Sequence, residues 1–346
     1  MKNTNTKKNL SITQQAILRF KKNRRGLISL WIISFLFIIS MFAEVISNDK
    51  PLIINYNNSY YFPLFKTYSE TTFGGDFESE ANYNDEYIKE KLTKNGNWVI
   101  YPPNPYSFNT INYNTRHPNP APPNMDNLLG TDDRGRDVLA RLIYGFRLSL
   151  LFGVVLSVIG TIIGIILGAI QGYFGGKIDL VMQRIIEVYG SMPELYLLII
   201  FASIFQPSIW LLLILLSMFG WMGLADYVRA EFLKARNLDY VEAARALGVG
   251  NVKIMWRHLL PNSLTPVITF LPFRLSASIL ALTSLDYLGL GVPPSTPSLG
   301  ELLSQGKENI DAWWLSLTTF TVLVGTLILL IFIGEALRSA FDTRNN

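Results

Sequence analysis

The stretch that decides the fold is NLDYVEAARALGVGNVKIMWRHLLPN, residues 237–262, a polar segment set between apolar segments that read as membrane spans. Asp239 and Glu242, three residues apart, form a capping-box pattern, so we predict that a short helix begins near Tyr240. Gly248 is the residue expected to end this helix, because glycine readily adopts the left-handed backbone of a helix stop.

A second short helix is expected after that stop. Asn251 can cap its start, and Pro261 is expected to end it, because proline lacks an N–H and its ring clashes with the carbonyl four residues earlier. The small side chains of Ala243, Ala244 and Ala246 give the first helix a shallow surface suited to close packing. A polar hairpin of this kind between two membrane spans indicates a docking element for a soluble partner.

This stretch resembles the EAA loop of ABC-importer permeases, because it contains Glu242-Ala243-Ala244, then Gly248, then Leu260-Pro261 at the expected distance. Its ending, Arg257 to Asn262, is similar to the RH-x-LPN pattern of the dipeptide/oligopeptide branch; the general pattern has an apolar residue in place of His258. The resemblance implies that the loop's helix fits a groove on an ATP-hydrolysing subunit. It assigns ATPase coupling to Glu242, Ala243, Ala244, Gly248, Arg257, His258, Leu260 and Pro261. An ordinary helical hairpin is the alternative, since EAA alone is a weak signal.

The composition favours an integral membrane protein. Only 16% of the 346 residues are charged, 49% are hydrophobic, and the hydrophobic residues come in blocks. The chain has no cysteine, and its two histidines, His117 and His258, are far apart in sequence, so we predict neither a disulfide nor a metal site. No G-x-x-x-x-G-K-[ST] loop or catalytic set occurs, so we predict no catalytic residue and no cofactor, and ATP is left to partner subunits.

The apolar runs predict an all-α protein with six transmembrane helices, which the resemblance makes the type I ABC importer permease fold. A basic N-terminus, 1–26, precedes a first span at 27–46, which we interpret as retained, with the N-terminus in the cytosol. Residues 130–336 are predicted to form a five-helix core with the coupling loop at 229–262, and 337–346 a cytosolic tail. The core spans are expected at about 148–170, 184–205, 209–225, 264–285 and 313–333.

Residues 47–129 have no apolar run long enough to span and are rich in Asn, Tyr and Pro. We interpret them as an extracytoplasmic insertion after the first helix. Its aromatic rings could contact a delivery protein, or the segment could be a solvated loop that packs on itself.

The segment from Gly130 to Ser149, containing GTDDRGRD, also resembles the peptide branch, with Ala140 where Ser is usual. We predict a short amphipathic helix at its start, either lying on the outer surface or merely solvated. Beyond it, glycines recur on one face of the second span (Gly153, Gly160, Gly164 and Gly168). That face is expected to pack on a partner permease.

Three charged residues are candidates for the translocation path: Glu194, Arg274 and Asp286. A charge at mid-membrane is costly and usually faces an interior or a watery path. For Glu194, which follows a predicted kink at Pro193, the alternative is a position near the membrane interface. In Arg274 and Glu194 the chain departs from the apolar or neutral residues of its relatives, so any shared substrate contact there is in doubt.

The proposed orientation rests on a count of positive charges. The predicted cytosolic pieces hold 18 of the 30 Lys and Arg residues. Four arginines near the second span count against it: Arg134, Arg136, Arg141 and Arg147.

The resemblance, which extends to the Yej-type oligopeptide and microcin C importer permeases, implies a bacterial inner-membrane assembly. Its expected partners are a second permease, two nucleotide-binding ATPase subunits, an extracytoplasmic solute-binding protein and membrane lipid, with no nucleic acid. Two alternatives stay open. One is an importer of nickel or another small solute with the same architecture, and the other is an ATP-independent channel or secondary transporter.

Overall fold

The structure is a computed structural model that describes residues 12–94, 96–115 and 117–342. Residues 1–11 of the predicted N-terminal basic segment, 1–26, and the end of the predicted tail, 343–346, lie outside the described residues. The chain divides into two compact units. The first contains the residues up to Phe35, Leu150–Ser284 and the residues from Val324 onward; the second contains Leu36–Ser149 and Leu285–Leu323.

Helices dominate the described residues. They are α1 (Ile12–Lys22), α2 (Arg24–Met41), α3 (Ala43–Ile46), α4 (Glu86–Thr93), α5 (Val138–Phe174), α6 (Gly176–Gly190), α7 (Glu194–Ile204), α8 (Ile209–Phe219), α9 (Met222–Ala235), α10 (Asp239–Ala246), α11 (Asn251–Lys253), α12 (Leu260–Tyr287), α13 (Leu299–Glu308) and α14 (Trp313–Phe341). A π-helix, Ile254–Leu259, joins α11 to α12, and a 3₁₀ turn covers Glu70–Phe73.

Five helical segments of the described chain are long and apolar enough to cross a membrane: α2, α5, α8 with α9, α11 through α12, and α14. Helices α6 and α7 supply a sixth if they are taken as one span, although they are bent by 64°. The bend falls at the predicted kink, because Pro193 precedes α7 and cannot continue α6. The predicted first span, 27–46, is shorter as a helix, since α2 ends at Met41.

The predicted glycine face of α5 packs within the chain, in the first unit. A Cβ on Gly168 would lie 2.4 Å from the carbonyl oxygen of Ala225 in α9, and one on Gly160 would lie 2.4 Å from Nη2 of Arg274 in α12. Glycine therefore permits two helices of the same chain to approach α5 closely. The expectation that this face packs on a partner permease is wrong, because α9 and α12 already occupy it.

The two ends of the chain meet in the first unit. Gly26 in α2 lies against α14, where a Cβ on Gly26 would come 2.1 Å from Cβ of Ala336. Close by, Nη1 of Arg19 donates a hydrogen bond to the carbonyl oxygen of Asp342 at 3.1 Å.

The insertion lies in the second unit and contains the strands of an antiparallel sheet, in the order β2-β1-β3: β1 (Ile53–Tyr56), β2 (Ser59–Tyr61) and β3 (Trp98–Ile100). Ile54 of the central strand is fully buried beside Phe73, and tyrosine rings surround Phe73 edge-on. Helix α4 covers this cluster with Ile88 and Leu92 and is capped by the carboxylate of Asp85. The insertion is therefore a folded structure with its own apolar core, not only a loop.

Candidate functional site

Helix α10 lies in the predicted coupling loop and presents two different faces. Val241 and Ala244 are buried in an apolar cluster with residues of α5, α9 and the π-helix. Glu242 and Ala243 point away from that cluster and are exposed. The EAA motif therefore contributes one residue to packing and two to a free surface.

The start of α10 differs from the predicted capping box. Asp239 is the first helical residue, and Leu238 before it is the N-cap, with no side-chain cap bond. Asp239 sits in the first turn, where a carboxylate interacts favourably with the helix dipole. Asp239 and Glu242 thus share the first turn instead of forming a capping pair.

The end of α10 is as predicted. Gly248 has a φ of +76°, in the left-handed region. Its N–H donates to the carbonyl of Arg245 at 2.9 Å, and the N–H of Val249 donates to the carbonyl of Ala244 at 3.0 Å. These two bonds define a Schellman motif, which satisfies the last carbonyls of the helix and fixes the direction in which the chain leaves it.

The second predicted helix does not end at Pro261, and Asn251 does not cap it. Asn251 is the first residue of α11, and the N-cap position before it is Gly250, which makes no side-chain cap bond. Pro261 lies in the first turn of the continuous α12. The π-helix before Pro261 explains this, because its wider turn separates the proline ring from the preceding carbonyls. Arg257 and Pro261 are exposed, whereas His258 and Leu260 are half-buried.

The hairpin also presents apolar side chains to solvent. Leu247 is 84% exposed and Val252 69% exposed, and Trp256 is 48% exposed. Together with Glu242 and Ala243 they form what we call the hairpin surface. Apolar side chains placed in a polar loop are typical of a surface that a partner covers.

The three candidates for the translocation path have different surroundings. Glu194 is the exposed first residue of α7. Arg274 is half-buried in α12, where its Nη2 donates to the carbonyl of Gly220 at 3.0 Å, at the break between α8 and α9. Asp286 is 5% exposed and accepts hydrogen bonds from the N–H of Val292 and the hydroxyl of Ser298.

Glu194 and Arg274 do not contact each other through polar groups. Among the described residues no hydrogen bond or ion pair joins Glu194 to Arg274, and both belong to the first unit whereas Asp286 belongs to the second. The bonds of Asp286 fold the Gly/Pro-rich segment that follows α12 back onto the end of that helix. Its observed contacts are those of a loop anchor.

The structure shows a buried polar network that the sequence did not predict. Asp132 and Arg141 are fully buried, and Arg136 is 4% exposed. Oδ2 of Asp132 accepts from Nε of Arg136 at 2.7 Å and lies 3.6 Å from Nε of Arg141. The predicted amphipathic helix over this motif is therefore wrong: residues 131–137 form a turn that is buried except at Asp133 and Arg134, and α5 begins only at Val138.

This network joins three segments of the second unit. Nη1 of Arg136 donates to the carbonyl of Pro294 at 2.9 Å. Arg141 donates to the carbonyls of Thr296 and Phe108, both at 3.3 Å. The motif thus fixes the segment after α12 and the last part of the insertion to the start of α5.

Asp137 extends the network. Its carboxylate accepts from Nδ2 of Asn104 at 2.7 Å, from Nδ2 of Asn127 at 2.8 Å and from the N–H of Ala140 at 2.8 Å. Burial raises the pKa of Asp137 above its ordinary value, although the hydrogen bonds oppose this shift.

The four arginines that count against the proposed orientation all have carboxylate neighbours. Arg136 and Arg141 face Asp132, Arg134 lies 3.8 Å from Asp133, and Arg147 binds both oxygens of Glu44 at 2.8 and 2.9 Å. Burial acts to raise the pKa of Glu44, but the bonds from Arg147 outweigh it and leave that pKa lowered. These positive charges are compensated locally, but the positive-inside rule counts Lys and Arg and not net charge, so the four arginines still count against the proposed orientation.

The family of the chain follows from comparison with known proteins. The family model described as "Binding-protein-dependent transport system inner membrane component" matches residues 145–346, more than half of the chain. A second model, "N-terminal TM domain of oligopeptide transport permease C", matches residues 11–63. The chain belongs to the family of binding-protein-dependent transport system inner membrane components.

Individual relatives match over nearly their whole length. The chain is 52% identical to the inner membrane ABC transporter permease protein YejE of Escherichia coli (strain K12), over 96% of this chain and 97% of that protein. It is 48% identical to the peptidoglycan transport system permease protein YejE of Agrobacterium fabrum, over 96% and 93%. It is 31% identical to the dipeptide transport system permease protein DppC of Lactococcus lactis, over 97% and 91%. These matches confirm the resemblance to ABC-importer permeases of the peptide branch and the fold that it implies.

Proposed function

We propose that this chain is the permease subunit of an ABC importer for oligopeptides. It forms the pathway with a second permease, and separate ATPase subunits and an extracytoplasmic binding protein complete the assembly. The cargo is inferred from two relatives, whose names place them in dipeptide and peptidoglycan transport, and from the family model of oligopeptide transport permease C.

The observation that carries the proposal is the hairpin surface. A short helix with a fixed end presents Glu242 and Ala243 on a loop that has exposed apolar side chains, while its opposite face packs into the permease. Such a surface suits a protein partner that pulls on the helix. A channel or a secondary transporter needs no such attachment, so this alternative is disfavoured.

The mechanism is a two-state pore. Binding of ATP draws the partner subunits together, and the attached hairpins carry this motion into the spans on either side of them, α9 and α12. ATP shifts the equilibrium only through its different affinity for the inward-facing and outward-facing states. The packing of Val241 and Ala244 into the cluster makes the attachment stiff enough to transmit the shift.

We place both chain ends and the coupling loop in the cytosol and the insertion, 47–129, outside it. A reporter fused after Asn346 is expected to respond as cytosolic, and one inserted directly after the exposed Lys94 as extracytoplasmic. The opposite result would overturn the orientation. Glu194 and Arg274 stay candidates for the pathway, and replacing either by Leu is expected to change cargo preference without releasing the ATPase subunits.

The function is tested by purification of the complex from native membranes and identification of its subunits. The complex is then reconstituted in vesicles with its binding protein, and uptake is measured with labelled di- to octapeptides, with a muropeptide and with Ni²⁺. ATP-dependent uptake of peptides is the expected result. If only the muropeptide is taken up, the cargo is a cell-wall fragment and not an oligopeptide. If only Ni²⁺ is taken up, the cargo is the metal ion. Uptake without ATP would refute the proposal of an ABC importer.

A further inference from the structure

Tyr173 stands next to the coupling hairpin but lies outside its motif. It is the penultimate residue of α5, and only 4% of it is exposed. Its ring belongs to the same apolar cluster as Val241, Ala244 and Ile254. The end of α5 is therefore part of the support on which α10 rests.

Tyr173 contacts both helices of the hairpin, α10 and α11. Its hydroxyl donates a hydrogen bond to Oδ1 of Asn251, the first residue of α11, at 2.7 Å. The guanidinium carbon of Arg245, in the last turn of α10, lies 5.2 Å from the centre of its ring, a cation–π distance. One buried side chain thus bridges α10 and α11, whereas the connecting residues 247–250 are exposed except for the half-buried Val249.

The backbone of Tyr173 also has a hydrogen-bond partner. The carbonyl oxygen of Tyr173 accepts a hydrogen bond from Nη1 of Arg236, just after α9, at 3.5 Å. This guanidinium lies over Gly175, where φ is +62° and a Cβ would come 2.0 Å from Nη1. The arginine can take this position only because the turn after α5 is glycine.

From the end of α5, polar contacts continue to α6. Nε2 of Gln183 donates to Oε1 of Gln171 at 3.0 Å and to Oδ1 of Asp226 at 3.2 Å. Arg229 of α9 binds both carboxylate oxygens of Asp179 in α6, at 2.5 and 2.7 Å. The first unit therefore has a continuous set of contacts from the hairpin through Tyr173 to α5, α9 and α6.

We propose that Tyr173 is a positioning residue for energy coupling: it locks the two limbs of the hairpin together and passes the displacement of α10 to the end of α5. This proposal rests on the proposed function. Without the hydroxyl bond, α10 and α11 can move relative to each other, so part of the motion of the ATPase subunits is lost in the hairpin. The complex then imports less peptide for each ATP that its ATPase subunits hydrolyse.

The test uses the complete complex in vesicles, with its ATPase subunits and binding protein. Tyr173→Phe removes the hydroxyl and keeps the ring, and Asn251→Ala removes the acceptor. Tyr189→Phe is the matched control, because the Tyr189 ring packs on Phe219 in the same unit. Three quantities are measured: peptide imported per ATP hydrolysed, the amount of ATPase subunit retained, and the melting temperature of the complex.

Tyr173→Phe and Asn251→Ala are each expected to lower the peptide imported per ATP by about fivefold, which corresponds to the loss of one net hydrogen bond from the coupled state. The double variant is expected to be no worse than either single variant, since both remove the same bond. Retention and melting temperature are expected to match those of Tyr189→Phe.

Two results would overturn the proposal. One is a wild-type ratio of transport to hydrolysis in Tyr173→Phe. The other is a fall in peptide imported per ATP that is accompanied by loss of ATPase subunit or by a lower melting temperature of the complex, which would make Tyr173 a merely structural residue. Failure of the proposed function itself looks different, because the unsubstituted complex would then show no ATP-dependent import at all.

Discussion

Replacing Gly248 by Val tests the coupling hairpin at the point where its geometry is best defined. The left-handed φ of +76° is the only obstacle to a side chain at this position, since no atom lies within 4 Å of a Cβ built there. A non-glycine residue in the left-handed region costs about 1–2 kcal/mol, and a β-branched one is at the upper end. In Gly248→Val the two hydrogen bonds of the Schellman motif must therefore offset this cost. If the backbone at residue 248 relaxes instead, those bonds break and the chain leaves α10 in another direction.

Gly250 supplies a matched control. It is exposed, and a Cβ there would also meet nothing within 4 Å, but its φ is −63° and its ψ is 148°, an extended backbone that valine accepts. Gly250→Val is therefore expected to change the hairpin little. The difference of about 1–2 kcal/mol between the two variants corresponds to roughly 5–30-fold in the population of the native hairpin.

The assay has two parts, ATP-driven peptide uptake in reconstituted vesicles and the affinity of the ATPase subunits for the permease pair. Gly248→Val is expected to lower both by about 5–30-fold, while the amount of membrane-inserted protein is unchanged. Gly248→Asn is expected to recover part of the loss, because asparagine tolerates the left-handed region. Equal behaviour of the Gly248 and Gly250 variants, or wild-type uptake in Gly248→Val, would refute the reasoning.

Three further predictions concern charged residues. Glu242→Lys is expected to release the ATPase subunit from purified complexes, because it reverses the exposed charge of the hairpin surface; an intact complex on gel filtration would count against this. Arg141→Leu is expected to lower the stability by about 2–4 kcal/mol, because the carbonyls of Phe108 and Thr296 lose their guanidinium donor and Asp132 keeps only Arg136 as a partner. The exposed Arg134→Leu is expected to change the stability by less than about 0.5 kcal/mol, and tryptophan fluorescence melting compares the two. The pKa of Glu44 is lowered, so its ion pair stabilises the fold above the ordinary pKa of 4.5 and is lost as the pH falls further. Glu44→Gln is expected to reduce the loss of stability at acid pH by a few tenths of a kcal/mol, whereas the control Glu78→Gln, at an exposed position, is expected to follow the wild type. The same dependence of stability on acid pH in all three proteins would contradict this prediction.

The local signals of the sequence predicted the hairpin and its stop at Gly248. A glycine directly after a helix-forming run favours a left-handed helix end through the local sterics of the backbone, so no tertiary information is needed. The capping box at Asp239 and the stop at Pro261 were predicted by the same kind of rule and are wrong. In both cases the observed structure of the adjacent residues differs from the local rule. Helix α10 starts one residue earlier than the capping pattern implies. The π-helix before Pro261 accommodates the proline ring, so the helix continues.

The buried network around Asp132 could not be predicted from local pattern. A segment that reads GTDDRGRD has the composition of a solvated helix or turn, and its burial depends on carbonyls of Pro294 and Phe108, which are distant in sequence. The glycine face of α5 shows the same limit. The pattern predicts close packing, but nothing in the spacing says that the neighbouring helices are α9 and α12 of the same chain.

The contact between Gly26 and Ala336 has a consequence for biosynthesis. The α2 helix leaves the ribosome long before α14, the helix that packs against Gly26. During most of translation this end of α2 therefore lacks its native neighbour and must be tolerated in lipid or shielded by the insertion machinery. A ribosome that stalls before α14 would leave the first unit open, and truncated chains of this kind are expected to be early substrates for membrane proteases.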